Sequence, residues 1–187
     1  MAVQSRMIEL GSPAPDFVLT DPSGGAWQLG KVAGDKPVLV AFICNHCPYV
    51  VHIAHAFAEF AREYQDKGLA VVAISANDVS THPEDAPDKM ALFARTHDFT
   101  FPYLYDETQD AARAYGAACT PDLFLFDAGK KLVYRGQFDG TRPGRGAPNG
   151  ADIRAAADAV LAGRKPSTDQ KPSVGCSIKW KPGRTPA

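Results

Sequence analysis

The chain has 187 residues and a nearly even charge balance, with 20 Lys and Arg against 21 Asp and Glu. This balance gives no electrostatic basis for binding nucleic acid or an anionic membrane. No apolar stretch approaches the ~20 residues that span a bilayer, and the N-terminus lacks the apolar core of a secretory signal. We therefore expect a protein of the reducing cytoplasm, where cysteines are mostly catalytic, metal-binding or buried in the core.

The first half of the chain alternates short strands and a long helix. Residues 11–29 predict two short strands around the turn at residues 21–25. The apolar runs at residues 37–44 and 69–75 predict strands that are covered on both faces of a sheet. Between them, residues 48–67 carry apolar side chains at helical spacing.

The second half continues the alternation and ends in a polar segment. The predicted elements are a helix at 88–97, a short strand at 101–105, a short helix at 108–115, a hairpin of strands 123–126 and 131–136, and a helix at 152–162. This order predicts an α/β fold with a central mixed β-sheet flanked by helices and an N-terminal β-hairpin extension. We expect one domain over residues 1–163 and an extended Pro- and Lys-rich C-terminal tail over residues 164–187.

A cysteine pair, Cys44-Asn45-His46-Cys47, lies where the first buried strand meets the long helix. Pro48 suits the first position of a helix, which makes Cys47 the N-cap residue. The partial positive charge of a helix N-terminus favours a thiolate and lowers a cysteine pKa from its usual value of about 8.5. The position of the pair therefore favours redox chemistry over two inert core cysteines.

A second segment, Tyr115-Gly116-Ala117-Ala118-Cys119-Thr120-Pro121, precedes the apolar strand at residues 123–126. Together with the cysteine pair, it resembles the thioredoxin-fold superfamily. The opening Pro13-Ala14-Pro15-Asp16-Phe17 is similar to the redoxin branch, which contains the peroxiredoxins and related thiol-disulfide oxidoreductases. The resemblance implies a thioredoxin-like fold and a cis peptide bond between Thr120 and Pro121, whose backbone would bind an extended thiol substrate.

In the register of the resemblance, Cys47 is the attacking cysteine and Cys44 is its resolving partner, although the reverse order stays open. The superfamily's buried acid is replaced here by Ala41, and the arginine of peroxiredoxins is replaced by Pro121. Proton handling must then come from another group. His46 is either a cation that stabilises the thiolate or an exposed loop residue.

Two further cysteines lie outside the pair. Cys119 is either an auxiliary thiol near the pair or a small core residue. Cys176 lies in the tail, in a segment that also contains Ile178 and Trp180. If this segment docks on the domain, Cys176 becomes a possible resolving thiol for Cys47, and the isolated Trp180 favours docking.

The resemblance implies a thiol-disulfide oxidoreductase that needs no bound cofactor and acts on a disulfide with a cellular thiol as reductant. A peroxiredoxin-like thiol peroxidase, with Cys47 as the peroxidatic cysteine, is the alternative within the same class. A copper or zinc protein that uses Cys44, Cys47, His52 and His55 is a second alternative. A non-catalytic interaction module is the third, and we expect either a monomer or a homodimer.

Overall fold

The structure is a computed structural model that describes residues 2–186. Its elements, in chain order, are β1 (Ala2–Gln4), β2 (Val18–Thr20), β3 (Ala26–Gln28), α1 (Leu29–Ala33), β4 (Val38–Phe42), α2 (Pro48–Asp66), β5 (Ala70–Ser75), a 3-10 turn (Pro83–Asp85), α3 (Pro87–Thr96), β6 (Tyr103–Tyr105), α4 (Asp110–Ala114), β7 (Cys119–Thr120), β8 (Asp122–Phe126), β9 (Leu132–Gly136), α5 (Ala151–Leu161) and β10 (Val174–Ser177). Within this range, no helix combines the length and the apolar character needed to cross a membrane.

The main sheet has seven strands in the order β3-β2-β6-β5-β4-β8-β9. Strand β5 pairs in parallel with β4 and β6, whereas β8 pairs antiparallel with β4 and β9. The predicted α/β class, the mixed sheet and the N-terminal hairpin of β2 and β3 are therefore confirmed. Every predicted strand and helix is present, with ends that differ from the prediction by a few residues.

Helices cover both faces of this sheet, which is why every residue of β4 and β5 is buried. One face packs against α2, α3 and α5, with Phe57, Met90 and Ile153 in its core. The other face packs against α1 and α4, with Leu29 and Ala112 in its core. Alternate residues of β4 face the two cores, as the pleat of a strand requires.

A second sheet has three strands in the order β1-β10-β7, and the sequence predicted none of them. These strands are only two to four residues long, too short for a periodic apolar pattern to be recognised. Strand β10 belongs to the segment that was expected to be an extended tail. It lies against the domain, and Ile178 directly after it is buried. The domain boundary at residue 163 stays a prediction.

Candidate active site

Strand β4 ends at Phe42 and α2 begins at Pro48, so the cysteine pair occupies the turn between them. Pro48 is at the first position of α2 and Cys47 is its N-cap residue, as predicted. The fixed φ of proline suits the first helical turn, where its missing N–H group has no partner to lose. Both Cys44 and Cys47 are 0% exposed, so neither sulfur meets solvent in this conformation.

The surroundings of Cys47 favour its thiolate and lower its pKa to about 4. The largest cause is a hydrogen bond from the Cys44 thiol, and further hydrogen bonds come from the Cys176 thiol and from the backbone N–H groups of Cys176 and Val50. Burial opposes these effects. The Cys47 sulfur also lies 3.1 Å from the Thr120 carbonyl oxygen. Only the protonated thiol can donate to that oxygen, so the other donors must hold the thiolate.

Cys44 has the opposite character, because its pKa is well above the usual range. Its thiol donates to Cys47, it is buried, and the negative charge of Asp85 disfavours ionisation. The Cys44 sulfur lies 3.3 Å from the Thr120 hydroxyl oxygen. The surroundings of the pair thus favour ionisation of Cys47 and oppose ionisation of Cys44.

The peptide bond between Thr120 and Pro121 is cis, which confirms the expectation from the resemblance. Thr120 contacts both sulfurs, with its carbonyl oxygen toward Cys47 and its hydroxyl toward Cys44. Both Thr120 and Pro121 are buried. The two segments that carried the resemblance are therefore in direct contact. Cys47 and Thr120 are 73 residues apart in the chain.

Asp85 is a site residue that the sequence analysis missed. Its fully buried carboxylate accepts hydrogen bonds from the Asn45 backbone N–H at 2.8 Å and the Asn77 side chain at 2.8 Å, and it lies 2.7 Å from His46 Nδ1. Polar atoms of Cys44, His46 and Asp85 all lie within 4.8 Å of one another. Asp85, on the 3-10 turn, thus places a carboxylate beside the pair, where the superfamily's buried acid is replaced by Ala41. The only sequence signal was an acidic residue after a buried strand.

His46 belongs to this acidic side of the site. Its ring pairs with Asp85 and stacks on the His82 ring, with ring centroids 5.2 Å apart. The groups that most lower the pKa of Cys47 do not include His46. His46 is therefore a partner of Asp85, rather than a main source of charge for the Cys47 thiolate or a free loop histidine.

The two remaining cysteines differ in placement. Cys119 is fully buried, and burial raises its pKa well above the usual range. Cys176 is half-buried on β10 and hydrogen-bonds to Cys47. Burial and that hydrogen bond raise the pKa of Cys176 to about 11. The structure therefore brings Cys176, and not Cys119, to the reactive sulfur.

The alternative metal set of Cys44, Cys47, His52 and His55 does not come together as a cluster among the described residues. His52 Nε2 lies 2.9 Å from the Thr141 hydroxyl, and His55 is exposed beside Glu59. Over residues 2–186, the group of three metal-ligating side chains that does come together is Cys44, His46 and Asp85.

Comparisons with known proteins place the chain in a family. The family model of the AhpC/TSA family matches residues 10–135. The chain belongs to the AhpC/TSA family. Its fold is thioredoxin-like, as the solved structures that share it show. The matched residues contain the cysteine pair, Asp85 and the cis-proline of this AhpC/TSA protein, whereas β10 and Cys176 lie outside them.

Three similar proteins illustrate the range of the family. The thiol-disulfide oxidoreductase ResA of Bacillus thuringiensis subsp. konkukian is 26% identical over 130 residues, which is 70% of each chain. The chloroplastic peroxiredoxin Q of Oryza sativa subsp. japonica is 30% identical over 118 residues, 63% of this chain and 49% of that one. The crystal structure of an uncharacterized conserved protein from Geobacillus kaustophilus is 50% identical, covers 98% of each chain and gives a TM-score of 0.95.

These similarities establish a thioredoxin-like redox protein of the AhpC/TSA family. They do not separate the two branches of chemistry, because an oxidoreductase and a peroxiredoxin match at comparable identity. The arginine that the resemblance to peroxiredoxins implies just before β8 is replaced here by Pro121. The choice between the two activities therefore depends on the cysteine environment.

Proposed function

We propose that this AhpC/TSA protein is a thiol-disulfide oxidoreductase in which Cys47 attacks and Cys44 resolves. The observation that carries the proposal is the different placement of the two sulfurs, since Cys47 is the N-cap residue of α2 while Cys44 lies near the carboxylate of Asp85. Hydrogen bonds lower the pKa of Cys47 to about 4, while burial and Asp85 keep Cys44 protonated. A thiolate is the nucleophile in disulfide exchange, so the lowered pKa of Cys47 makes it the attacking sulfur.

The reaction consists of two exchange steps. The Cys47 thiolate attacks one sulfur of a substrate disulfide, forms a mixed disulfide and releases the other substrate sulfur as a thiolate. Cys44 then loses its proton and attacks the Cys47 sulfur. This second step releases the second substrate thiolate and leaves a Cys44–Cys47 disulfide, so two electrons pass from the protein to the substrate.

Resolution requires a base for the Cys44 proton, and Asp85 with His46 is the nearest pair. Their polar atoms lie within 4.8 Å of the Cys44 sulfur and 2.7 Å from each other. Once Cys47 is in a mixed disulfide, its negative charge no longer opposes ionisation of Cys44. We assign to Asp85 and His46 the acceptance of the Cys44 proton, a role in which a buried carboxylate orients the imidazole.

The proposed partners are a disulfide substrate and a cellular thiol that reduces the Cys44–Cys47 disulfide after each cycle. A location in the reducing cytoplasm belongs to the same proposal, because a thiol reductant is abundant there. No bound cofactor takes part in either exchange step. Because Cys44 and Cys47 belong to the same chain, one molecule carries out both exchange steps.

A peroxidase activity is the second candidate, and the full burial of Cys47 favours it. A peroxide reaches an enclosed sulfur more easily than a protein disulfide does. The Cys47 thiolate would attack one peroxide oxygen, become a sulfenic acid and release hydroxide or an alkoxide. Cys44 would then condense with the sulfenic acid and release water, which yields the same disulfide.

The deciding experiment mixes the reduced protein with one equivalent of either a small model disulfide or hydrogen peroxide and follows the loss of free thiols. We expect rapid loss with the disulfide, slower loss with peroxide, and a Cys44–Cys47 bridge in the peptide map. Cys47→Ser should abolish both reactions, whereas Cys119→Ser should leave both rates unchanged. Faster reaction with peroxide would favour the second candidate, and an unreactive Cys47 would reject both.

A further inference from the structure

Strand β10 lies beside the cis-proline, at the backbone edge that an extended substrate would use. It pairs antiparallel with β7, with Cys176 opposite Thr120 and Ser177 opposite Cys119. Strand addition of this kind is a general way to bind an extended peptide through its main chain. Here the bound segment is part of the same chain, at a sequence separation of 56 residues between Cys176 and Thr120.

The fit between β10 and this edge depends on a glycine. A Cβ atom at Gly175 would lie 2.0 Å from the Thr120 carbonyl oxygen and 3.2 Å from the Pro121 nitrogen. Gly175 does not have a positive φ, so the close approach alone restricts this position to glycine. Gly175 thus allows β10 to pack closely against the backbone of Thr120 and Pro121.

Cys176 is held against the reactive sulfur from two directions. Cys176 packs against the buried cluster that contains Cys44 and Cys47, and its thiol and its backbone N–H both lower the pKa of Cys47. Because Cys47 is 0% exposed with this strand in place, β10 is part of the cover over the sulfur. A bulky disulfide cannot reach Cys47 along this edge while Cys176 occupies it.

The segment after β10 is anchored to the acidic side of the site. The Lys179 backbone N–H donates to the Asn77 side chain at 2.8 Å, and the same side chain donates to Asp85. The buried Gln109 side chain donates to the Lys179 carbonyl oxygen at 2.9 Å and accepts from the Lys181 N–H at 2.8 Å. The strand is therefore a specifically bound segment and not a loosely covering tail.

We infer that Val174–Ser177 is a tethered substrate of the site, which docks by strand pairing at the cis-proline and presents Cys176 as a second resolving thiol for Cys47. This inference rests on the proposed function. When Cys47 carries a mixed disulfide, the Cys176 thiolate attacks the Cys47 sulfur and expels the substrate thiolate. The product is a Cys47–Cys176 disulfide, and the proton of Cys176 passes to solvent.

Two observations make Cys176 a competitor of Cys44. Cys44 precedes Cys47 by three residues in the turn before α2, and Cys176 packs against the buried cluster that contains both, so each thiol lies near the sulfur it would attack. Cys176, with a pKa of about 11, ionises more readily than Cys44, whose pKa lies further above the usual range. The Cys47–Cys176 bridge would also lock β10 over the site until a reductant opens it.

The test uses the full chain with Cys44→Ser and Cys119→Ser, so that Cys47 and Cys176 are the remaining thiols. The reduced variant is mixed with one equivalent of 5,5′-dithiobis(2-nitrobenzoate), and the coloured thiolate is counted. We expect two thiolates per protein, the second in a first-order step that does not depend on the reagent concentration. The peptide map should contain a Cys47–Cys176 bridge. Adding Cys176→Ser should stop the reaction at one thiolate and a stable mixed disulfide.

The outcomes separate this inference from the proposed function. Release of a single thiolate, with Cys176 still open to alkylation, would overturn the inference while leaving Cys47 as a reactive thiol. A mixed disulfide on Cys176 with no Cys47–Cys176 bridge would overturn it as well. No release from Cys47 in either variant would instead reject the proposed function.

Gly175→Ala tests the docking without removing a thiol. In the same background, it should slow the second release by on the order of tenfold to a hundredfold, because small misplacements of reacting groups are costly. It should also speed the first release, since the cover over Cys47 is loosened. Gly140→Ala is the matched control, because a Cβ at Gly140 meets nothing within 4 Å. Equal rates in the two variants would contradict docking-dependent resolution.

Discussion

Cys47 and Cys44 are three positions apart, yet their surroundings move their pKa values in opposite directions. The donors around Cys47 are Cys44, Cys176 and the first-turn N–H of Val50, and all of them stabilise its negative charge. Cys44 instead lies beside the carboxylate of Asp85, which disfavours a second negative charge. The difference in reactivity therefore arises from which groups each sulfur faces, and not from the residue type.

The hydrogen bond from Cys44 is the largest cause of the low pKa of Cys47, which leads to a direct prediction. Cys44→Ala removes the donor, and we expect the pKa of Cys47 to rise clearly above 4. Cys44→Ser keeps a hydroxyl donor and should retain much of the shift. The ultraviolet absorbance of the thiolate, measured against pH with Cys47→Ser as the blank, checks both variants. An unchanged pKa in Cys44→Ala would contradict this assignment.

Asp122, directly after the cis-proline, is a second residue with an unusual ionisation. Its carboxyl is fully buried, Oδ1 has no hydrogen-bond partner among the described residues, and Oδ2 accepts from the Ala118 N–H at 3.1 Å. Burial raises the pKa of this group to about 8. Burial therefore favours the protonated carboxyl of Asp122 in the folded protein, while the unfolded chain ionises it near its usual pKa of 3.8.

The stability of the protein should therefore depend on pH through Asp122. The stabilisation of the protonated carboxyl is complete below the unfolded pKa and is lost as pH rises through the folded value of about 8. The side chain of Asp122→Asn cannot ionise. Between pH 4 and pH 8, the free energy of unfolding of this variant should therefore fall by on the order of a few kcal/mol less than that of the wild type. Denaturant unfolding across this range measures the difference. The exposed Asp169→Asn should follow the wild type, and parallel curves for all three proteins would contradict the prediction.

Helix α2 places Cys47 because its own position is set by packing. It begins at the N-cap Cys47 and carries Phe57, which is 1% exposed, into the core beneath the sheet. The Phe57 ring lies in edge contact with Phe101 and Phe138, with ring centroids 5.4 and 6.0 Å apart. Because these contacts come from other elements, the helix start is held by tertiary packing rather than by its cap alone.

Truncation of Phe57 should therefore destabilise the whole domain. Phe57→Ala removes a fully buried ring, and we expect a loss of about 3–5 kcal/mol in the free energy of unfolding. Val51→Ala, on the same helix at a position that is 50% exposed, should change stability by about 0.5 kcal/mol or less. Denaturant titration of both variants compares them. Similar losses would contradict the view that α2 is fixed by its buried face.

Over the whole molecule, strands near both ends of the described chain lie next to the active site. Strand β1 pairs with β10, with Ala2 opposite Cys176, and β10 in turn pairs with β7 beside the cis-proline. Residues from the start, the middle and the end of the chain thus form one small sheet next to Cys47. The closing strand is held on both edges, so its docking depends on distant parts of the sequence.

Deletion of residues 2–5 should weaken the docking of β10 without unfolding the domain. It removes one hydrogen-bonded edge of β10 while leaving both cores intact. We expect faster amide hydrogen exchange at Cys176 and Ile178, because strand amides exchange through local opening. The buried amides of β8 serve as the internal reference and should stay protected. Unchanged exchange at both positions would show that β7 and the Asn77 and Gln109 contacts are sufficient.

Local sequence patterns determined much of this protein. Apolar runs and helical spacing predicted the strands and helices of the main sheet, because burial imposes a repeat that neighbouring residues carry. Pro48 after Cys47 predicted the helix start and its N-cap thiol in the same way. The cis form of the Thr120–Pro121 bond was implied by the resemblance and by no local pattern.

Only the tertiary structure decided which groups surround the sulfurs. Asp85 contacts His46 from 39 residues away in the chain, and Cys176 pairs with Thr120 from 56 residues away. Neither contact produces a local repeat that can be recognised in the sequence. The two- to four-residue strands β7 and β10 are formed by each other's backbone groups, not by their own propensity. The acid beside Cys44 and the strand over Cys47 therefore follow from long-range pairing and burial, which the folded chain alone establishes.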